Sequence, residues 1–162
     1  MLRQTIDVDY LAATLATLLD TPSPAGYTDT VVRWCCEELA RLGVQYELTR
    51  RGAIRARLPG RESRGARALV AHLDTLGAMV KNLKDNGRLE LVPIGHWSAR
   101  AAEYCRCTLF SDEGSFRGTI LPLKASGHTF GEEVGARPDG WPHVELRGDA
   151  YCADRAGAEA RG

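Results

Sequence analysis

Leu69-Val70-Ala71-His72-Leu73-Asp74-Thr75-Leu76-Gly77 is the stretch on which the fold turns. With Ala68 its first residues make an unbroken apolar run. A strand covered on both faces reads this way, whereas a half-solvated strand alternates. The run is predicted to be a buried strand that ends in His-x-Asp and then turns. Residues leaving the carboxyl end of a central strand are where α/β folds place their ligands. A histidine there can offer one ring nitrogen to a metal ion while a nearby carboxylate accepts a hydrogen bond from the other, which fixes the tautomer. His-x-Asp is also a common triplet, and a partly buried histidine satisfied by its neighbours is the competing reading.

Upstream, Leu11, Leu15, Leu18 and Leu19 share one face of a helix predicted over 9–19, with Asp7 or Asp9 to cap it. Pro22 and Pro24 stop that helix and Gly26 completes a turn. A second helix is predicted over 29–42, with Val32, Cys35, Leu39 and Leu42 as its apolar stripe, Thr28 as N-cap and Gly43 just past its end. Cys35 therefore reads as core filling. Residues 44–48 and 53–58 alternate and form a predicted hairpin around Gly52. Downstream, 76–83 and 89–94 read as two strands joined at Asp85-Asn86-Gly87.

The character changes after Gly95. Short strand candidates at 105–110, 116–123 and 144–147 stand between glycine- and proline-rich turns, the pattern of a small β-rich subdomain. The fold class expected is α/β, a sheet flanked by helices. Its expected parts are an N-terminal portion over 1–94, a β-rich insertion over 95–150 and a tail over 151–162, with a short surface helix from Ala153.

The 162 residues are 44% hydrophobic and 26% charged, ordinary for a soluble globular chain. Lys plus Arg and Asp plus Glu number 21 each, so no overall basic field exists to attract nucleic acid or an anionic membrane. The local arginine cluster from Arg50 to Arg67 is punctuated by Pro59, Gly60 and Gly65 and reads as a solvated hairpin and loop. No apolar run approaches the roughly 20 residues of a membrane span. An early acid and the lack of an apolar signal core make a secretory leader unexpected. The five cysteines (Cys35, Cys36, Cys105, Cys107, Cys152) are odd in number and partly adjacent, unlike a disulfide framework. A cytoplasmic location is expected. No phosphate-binding glycine loop and no Gly-x-Ser-x-Gly elbow is present.

The run Ala71-His72-Leu73-Asp74-Thr75-Leu76-Gly77-Ala78-Met79-Val80-Lys81 resembles the first metal-ligand strand of the glutamyl, or tetrahedral, aminopeptidases, which are co-catalytic dizinc exopeptidases. Leu19-Asp20-Thr21-Pro22-Ser23-Pro24-Ala25-Gly26-Tyr27 is similar to their helix-to-helix turn. Gly118-Thr119-Ile120-Leu121-Pro122-Leu123-Lys124-Ala125-Ser126-Gly127-His128-Thr129-Phe130 is similar to a branch found beside genes for a dipeptide-type osmoprotectant. Thr75 departs from the pattern, since many members carry an acid there. The resemblance implies a zinc-exopeptidase-type α/β/α sandwich, here incomplete, with an inserted β-rich subdomain. It implies His72 as a zinc ligand and Asp74 as the group that orients and polarises it. The implied reaction is hydrolysis of the N-terminal residue of a peptide, or of a small amidated dipeptide, by zinc-activated water in a homo-oligomer. The intact family uses two zinc ions. The remaining ligands and the base are expected downstream of the insertion, so this chain is expected to be inactive alone and to hold at most one ion weakly.

Two alternatives stay open. Gly131-Glu132-Glu133-Val134-Gly135 looks like the family's catalytic Glu-Glu motif, which allows a compact metallohydrolase built from His72, Asp112, Glu132 and Glu133. Asp112 reads better as a hairpin corner, however, since Asp and Gly favour such turns. The other rival is a non-catalytic binding or assembly module that keeps the fold. His96 beside Trp97 reads as packing, His128 lacks a helix to align it with Glu132, and His143 lies at an expected exposed strand. Cys105-x-Cys107 lacks a second cysteine pair at zinc-finger spacing and reads as packing.

Overall fold

The computed structural model describes residues 5–60, 65–112, 114–150 and 155–159. It forms two compact units, Met1–Thr75 and Leu76–Gly162.

The first unit holds α1 (Val8–Asp20), α2 (Asp29–Arg41), β1 (Tyr46–Leu48) and β2 (Ile54–Ala56). Asp7 caps α1 by accepting the Tyr10 amide at 2.9 Å, one of the donors a helix start leaves without a partner. Thr28 precedes α2 without a side-chain cap bond. At the other end Gly43 adopts φ +69, its amide bonds to the Ala40 carbonyl, and the Val44 amide bonds to Leu39. That pair of bonds is a Schellman ending, which needs the left-handed residue glycine supplies. The Tyr10 hydroxyl donates to Glu38 at 2.6 Å, linking α1 to α2. Hydrogen bonds from Arg41 and Tyr10 hold the Glu38 carboxyl at about 2, well below its usual range. Glu47 and Arg55 face each other across the β1–β2 pair and bond at 2.8 Å.

Two packing expectations are corrected here. On α2 the deeply buried residues are Val31 and Cys36, whereas Leu42 is half exposed and Cys35 only partly covered. A short helix touched by few neighbours buries the positions its contacts reach, and its apolar stripe alone does not fix them. The larger correction concerns 68–71. These residues form no ladder and Leu69 and Val70 are 102% and 91% exposed. A strand buried on both faces needs neighbours from distant sequence, and none of the described residues fills that role. No residue of α1 is buried either.

The second unit holds β3 (Gly77–Leu83), β4 (Leu89–Ile94), α3 (Ala99–Ala102), β5 (Arg106–Phe110), β6 (Ser115–Pro122), α4 (Gly127–Phe130), α5 (Glu133–Ala136), a 3₁₀ turn (Trp141–His143), β7 (Val144–Gly148) and α6 (Arg155–Glu159). Five strands pair antiparallel in the order β3-β4-β7-β6-β5. The sheet takes in strands on both sides of Gly95. Gly87 turns the β3–β4 hairpin at φ +73, and its amide bonds to the Lys84 carbonyl. Gly118 has another reason to be glycine: a Cβ there would meet the Arg147 carbonyl oxygen at 2.8 Å.

Leu91, Ala99, Ala102, Ile120, Val144 and Leu146 form the core, with Trp97 and Trp141 packed against it and meeting each other edge to face. Glu145 is buried on β7, where it accepts from Lys84 at 2.8 Å and from Arg88. Burial alone would raise its pKa, but the two cations outweigh this and hold it below the ordinary glutamate value. No helix among the described residues is long and apolar enough to cross a membrane. Arg61, Arg64, Cys152 and parts of the tail lie outside the described residues.

Candidate metal-ligand site

The site grows from the turn between α1 and α2. Pro22 and Pro24 end α1, and Gly26, at φ +92, lets the Tyr27 amide bond to the Pro24 carbonyl. This turn presents Ser23, which is fully buried. Ser23 Oγ donates to the Leu73 carbonyl at 2.9 Å, and the Ser23 carbonyl accepts the Thr75 amide at 2.8 Å. Pro24 and Thr75 complete a parallel bridge. One serine therefore grips the chain on both sides of Asp74.

His72 stands immediately before that grip. Its side chain is 82% exposed, and its Nδ1 lies 2.9 Å from the Asp74 carbonyl oxygen and 3.3 Å from the Asp74 carboxylate. A carbonyl oxygen can only accept, so the shorter contact is a hydrogen bond only when Nδ1 carries the proton. In the neutral ring this leaves the Nε2 lone pair free, the form in which imidazole binds a metal. The histidine and the aspartate are thus brought together, but the hydrogen-bond partner of the ring is the Asp74 backbone oxygen and not the carboxylate expected, which lies farther off.

The residues present fit one position in a zinc shell and not a closed one. Zinc takes about four ligands, and no group of three or more His, Cys, Asp or Glu among the described residues stands close enough to hold an ion. Asp112 lies exposed in the β5–β6 turn, where the Ser111 amide bonds to Gly114. Glu133 is exposed and paired with Lys124. Glu132 immediately precedes α5, and its carbonyl accepts the Gly135 and Ala136 amides. These three acids share the second unit without forming a metal-binding group, so the compact arrangement is not assembled there.

The remaining candidates are also placed. His96 is exposed, contrary to its expected packing, because its neighbour Trp97 takes the inward position and donates Nε1 to the Gly77 carbonyl at 2.9 Å. His128 is exposed on α4. His143 lines a cleft of about 280 Å³ with Leu123, Lys124 and Arg137, but Arg137 is bonded to Glu103 and Lys124 to Glu133. Cys107 is partly buried and its thiol is pushed up by burial, as expected of packing. Cys105 is exposed, one residue before β5, and its Sγ is 3.3 Å from the Ala101 carbonyl. Cys35, Cys36, Cys105 and Cys107 are in no disulfide.

Ser23 is the residue the sequence reading passed over. A serine between two prolines reads as turn filler. Only its burial beside a chain fifty residues away reveals the bond it makes.

The sequence profile described as M42 glutamyl aminopeptidase matches residues 52–162. The chain is similar to the putative aminopeptidase YhfE of Bacillus subtilis, at 34% identity over 147 residues, which cover 90% of this chain and 42% of that protein. Among solved structures it resembles a TET aminopeptidase from a marine-sediment archaeon of the Thaumarchaeota. That match has a TM-score of 0.76 at 17% identity and covers 97% of this chain and 42% of the other. It also resembles PhTET1-12s, a dodecamer, with a TM-score of 0.67 at 18% identity over 90% of this chain and 41% of the other. The fold is therefore the α/β fold of these enzymes, present in part. The chain spans less than half the length of each of these relatives.

Proposed function

Because this chain belongs to the M42 glutamyl aminopeptidase family, we propose that it contributes to the metal-dependent removal of N-terminal residues from peptides, with His72 as a zinc ligand through Nε2 and Asp74 as the group that orients it. The observation that carries this reading is the exposed His72 ring, whose Nδ1 is engaged by Asp74 while Nε2 meets no partner among the described residues. Zinc supplies an activated water and polarises the scissile carbonyl in such chemistry. This chain's own part is to hold one imidazole in the correct tautomer at the rim of the site.

One histidine is too little for a co-catalytic pair, so these 162 residues by themselves are expected to turn over no peptide measurably. The substrate class proposed for the whole protein is a peptide or a small amidated dipeptide, in the cytoplasm, with neither nucleic acid nor membrane as a partner. Self-association is part of the proposal: the second unit has a closed core of its own, and the related PhTET1-12s is a dodecamer. That same core supports the second reading, a module retained for assembly alone. Zinc stoichiometry and an aminoacyl-anilide panel on the purified chain separate these readings: a weakly held ion lost in His72→Ala supports the ligand role, and no ion with stable oligomers supports the module. Negligible turnover is expected. Turnover that disappears in Glu132→Gln would instead support the compact metallohydrolase.

A further inference from the structure

We propose that Ser23 is a positioning residue for the His72–Asp74 pair, acting through the main chain of 73–75. This rests on His72 being the metal ligand only for its purpose; the clamp itself stands on geometry.

Around the site the chain is otherwise poorly held. Leu69 and Val70 are fully exposed, and no backbone hydrogen bond to residues 68–71 is found among the described residues. The support arrives abruptly at Leu73. Its carbonyl takes the Ser23 hydroxyl, and two residues later the Thr75 amide donates to the Ser23 carbonyl. Thr75 Oγ1 lies 3.4 Å from Ser23 Oγ and adds a weaker third contact. With 73 and 75 fixed, the carbonyl of Asp74 has little freedom to rotate, and it is this carbonyl that Nδ1 of His72 meets at 2.9 Å.

A buried hydroxyl is costly unless bonded, and the clamp gives this one its partner. Losing the Ser23 hydroxyl leaves the Leu73 carbonyl without that donor and frees the peptide between Leu73 and Asp74, so the His72 ring is no longer held over the Asp74 carbonyl, which the Thr75 amide bond to the Ser23 backbone still fixes. His72 would then sample both neutral tautomers. Metal binding would weaken because the form with a free Nε2 is populated less, with no ligand having been removed.

The test is the tautomer ratio of neutral His72, read from long-range proton–nitrogen NMR correlations of the whole chain without metal. The Nδ1-protonated form is expected to dominate. Ser23→Ala is expected to lower its ratio to the other tautomer about five-fold, the size of one ordinary hydrogen bond. Val31→Ala serves as a control, since it removes buried volume in the same unit without removing a hydrogen bond; it should leave the ratio unchanged. An unchanged ratio in Ser23→Ala, or an equal fall in Val31→Ala, overturns the proposal. Should Ser23→Ala not fold, amide hydrogen exchange of the unmutated chain decides. Thr75 protected relative to Leu69 and Val70 supports the clamp, and Thr75 exchanging as fast as they do overturns it. Zinc added to the same samples tests the metal reading separately: a dominant Nδ1-protonated form that takes up no zinc leaves the clamp standing and removes the ligand role.

Discussion

Leu69 and Leu91 are the same side chain in opposite circumstances. Leu91, on β4, is 5% exposed within a sheet of five strands, while Leu69, in the run that looks most like a core strand, is wholly exposed. The contrast extends to the units that hold them. Residues 76–162 close most of their sheet through the β3–β4 and β5–β6 hairpins and their pairing with β7, so their strands find neighbours within a short stretch of chain. Among the described residues of 1–75 there are two helices and a small hairpin, with Val31, Cys36 and Ser23 buried. An apolar sequence states what a segment needs; whether it is buried depends on which neighbours are present.

The largest effect that would break this contrast comes from core truncation in the second unit. Leu91→Ala or Ile120→Ala should destabilise that unit by about 2–5 kcal/mol through lost transfer energy and a residual cavity. Trp97 and Trp141 belong to this unit and Trp34 to the first, so denaturation followed by fluorescence in a Trp34→Phe background reports on it alone. A loss below about 1 kcal/mol would mean that the core is not cooperatively packed.

Next in size is the buried carboxylate. Glu145→Gln should cost about 1.5–3 kcal/mol, since it weakens two charge-assisted bonds to Lys84 and Arg88. The sign with pH follows from its lowered pKa. The contribution is fully present above the ordinary value of 4.5 and is lost as pH falls through the lower folded-state value. The unmutated second unit should therefore lose stability progressively below pH 4.5, and Glu145→Gln should flatten that acid limb. An acid limb of equal steepness in both proteins would show that Glu145 does not set it.

The smallest effect lies on the other side of the contrast. Leu69→Ala should change the stability of the first unit by less than about 0.5 kcal/mol, as for a surface position. A loss comparable to that of Leu91→Ala would show that Leu69 is covered in solution and that the difference between the units is not real.

Much of this was legible in the sequence, and the reasons differ by residue. Asp85-Asn86-Gly87 and Gly52 mark their turns because hairpin geometry is local. The Asp7 cap and the Gly43 ending follow from the donors and acceptors that helix ends leave open. That His72 and Asp74 stand near each other follows from their two residues of separation, but nothing in the triplet reveals that the ring bonds the Asp74 backbone carbonyl in place of its carboxylate. Long-range partners were not readable. Nothing in Leu69-Val70 reveals whether neighbouring strands exist, and nothing in Pro22-Ser23-Pro24 reveals that its hydroxyl meets the Leu73 carbonyl. The exposure of His96 depends on which of two adjacent rings turns inward, a choice made by the Trp97 bond to Gly77.

The most direct measurement on the central claim is zinc stoichiometry on the purified chain, with and without His72→Ala. The expected result is at most one weakly held ion, with any uptake lost in His72→Ala. Two tightly bound ions, or zinc uptake unaffected by removing the imidazole, would contradict the assignment of His72 as the ligand this stretch contributes.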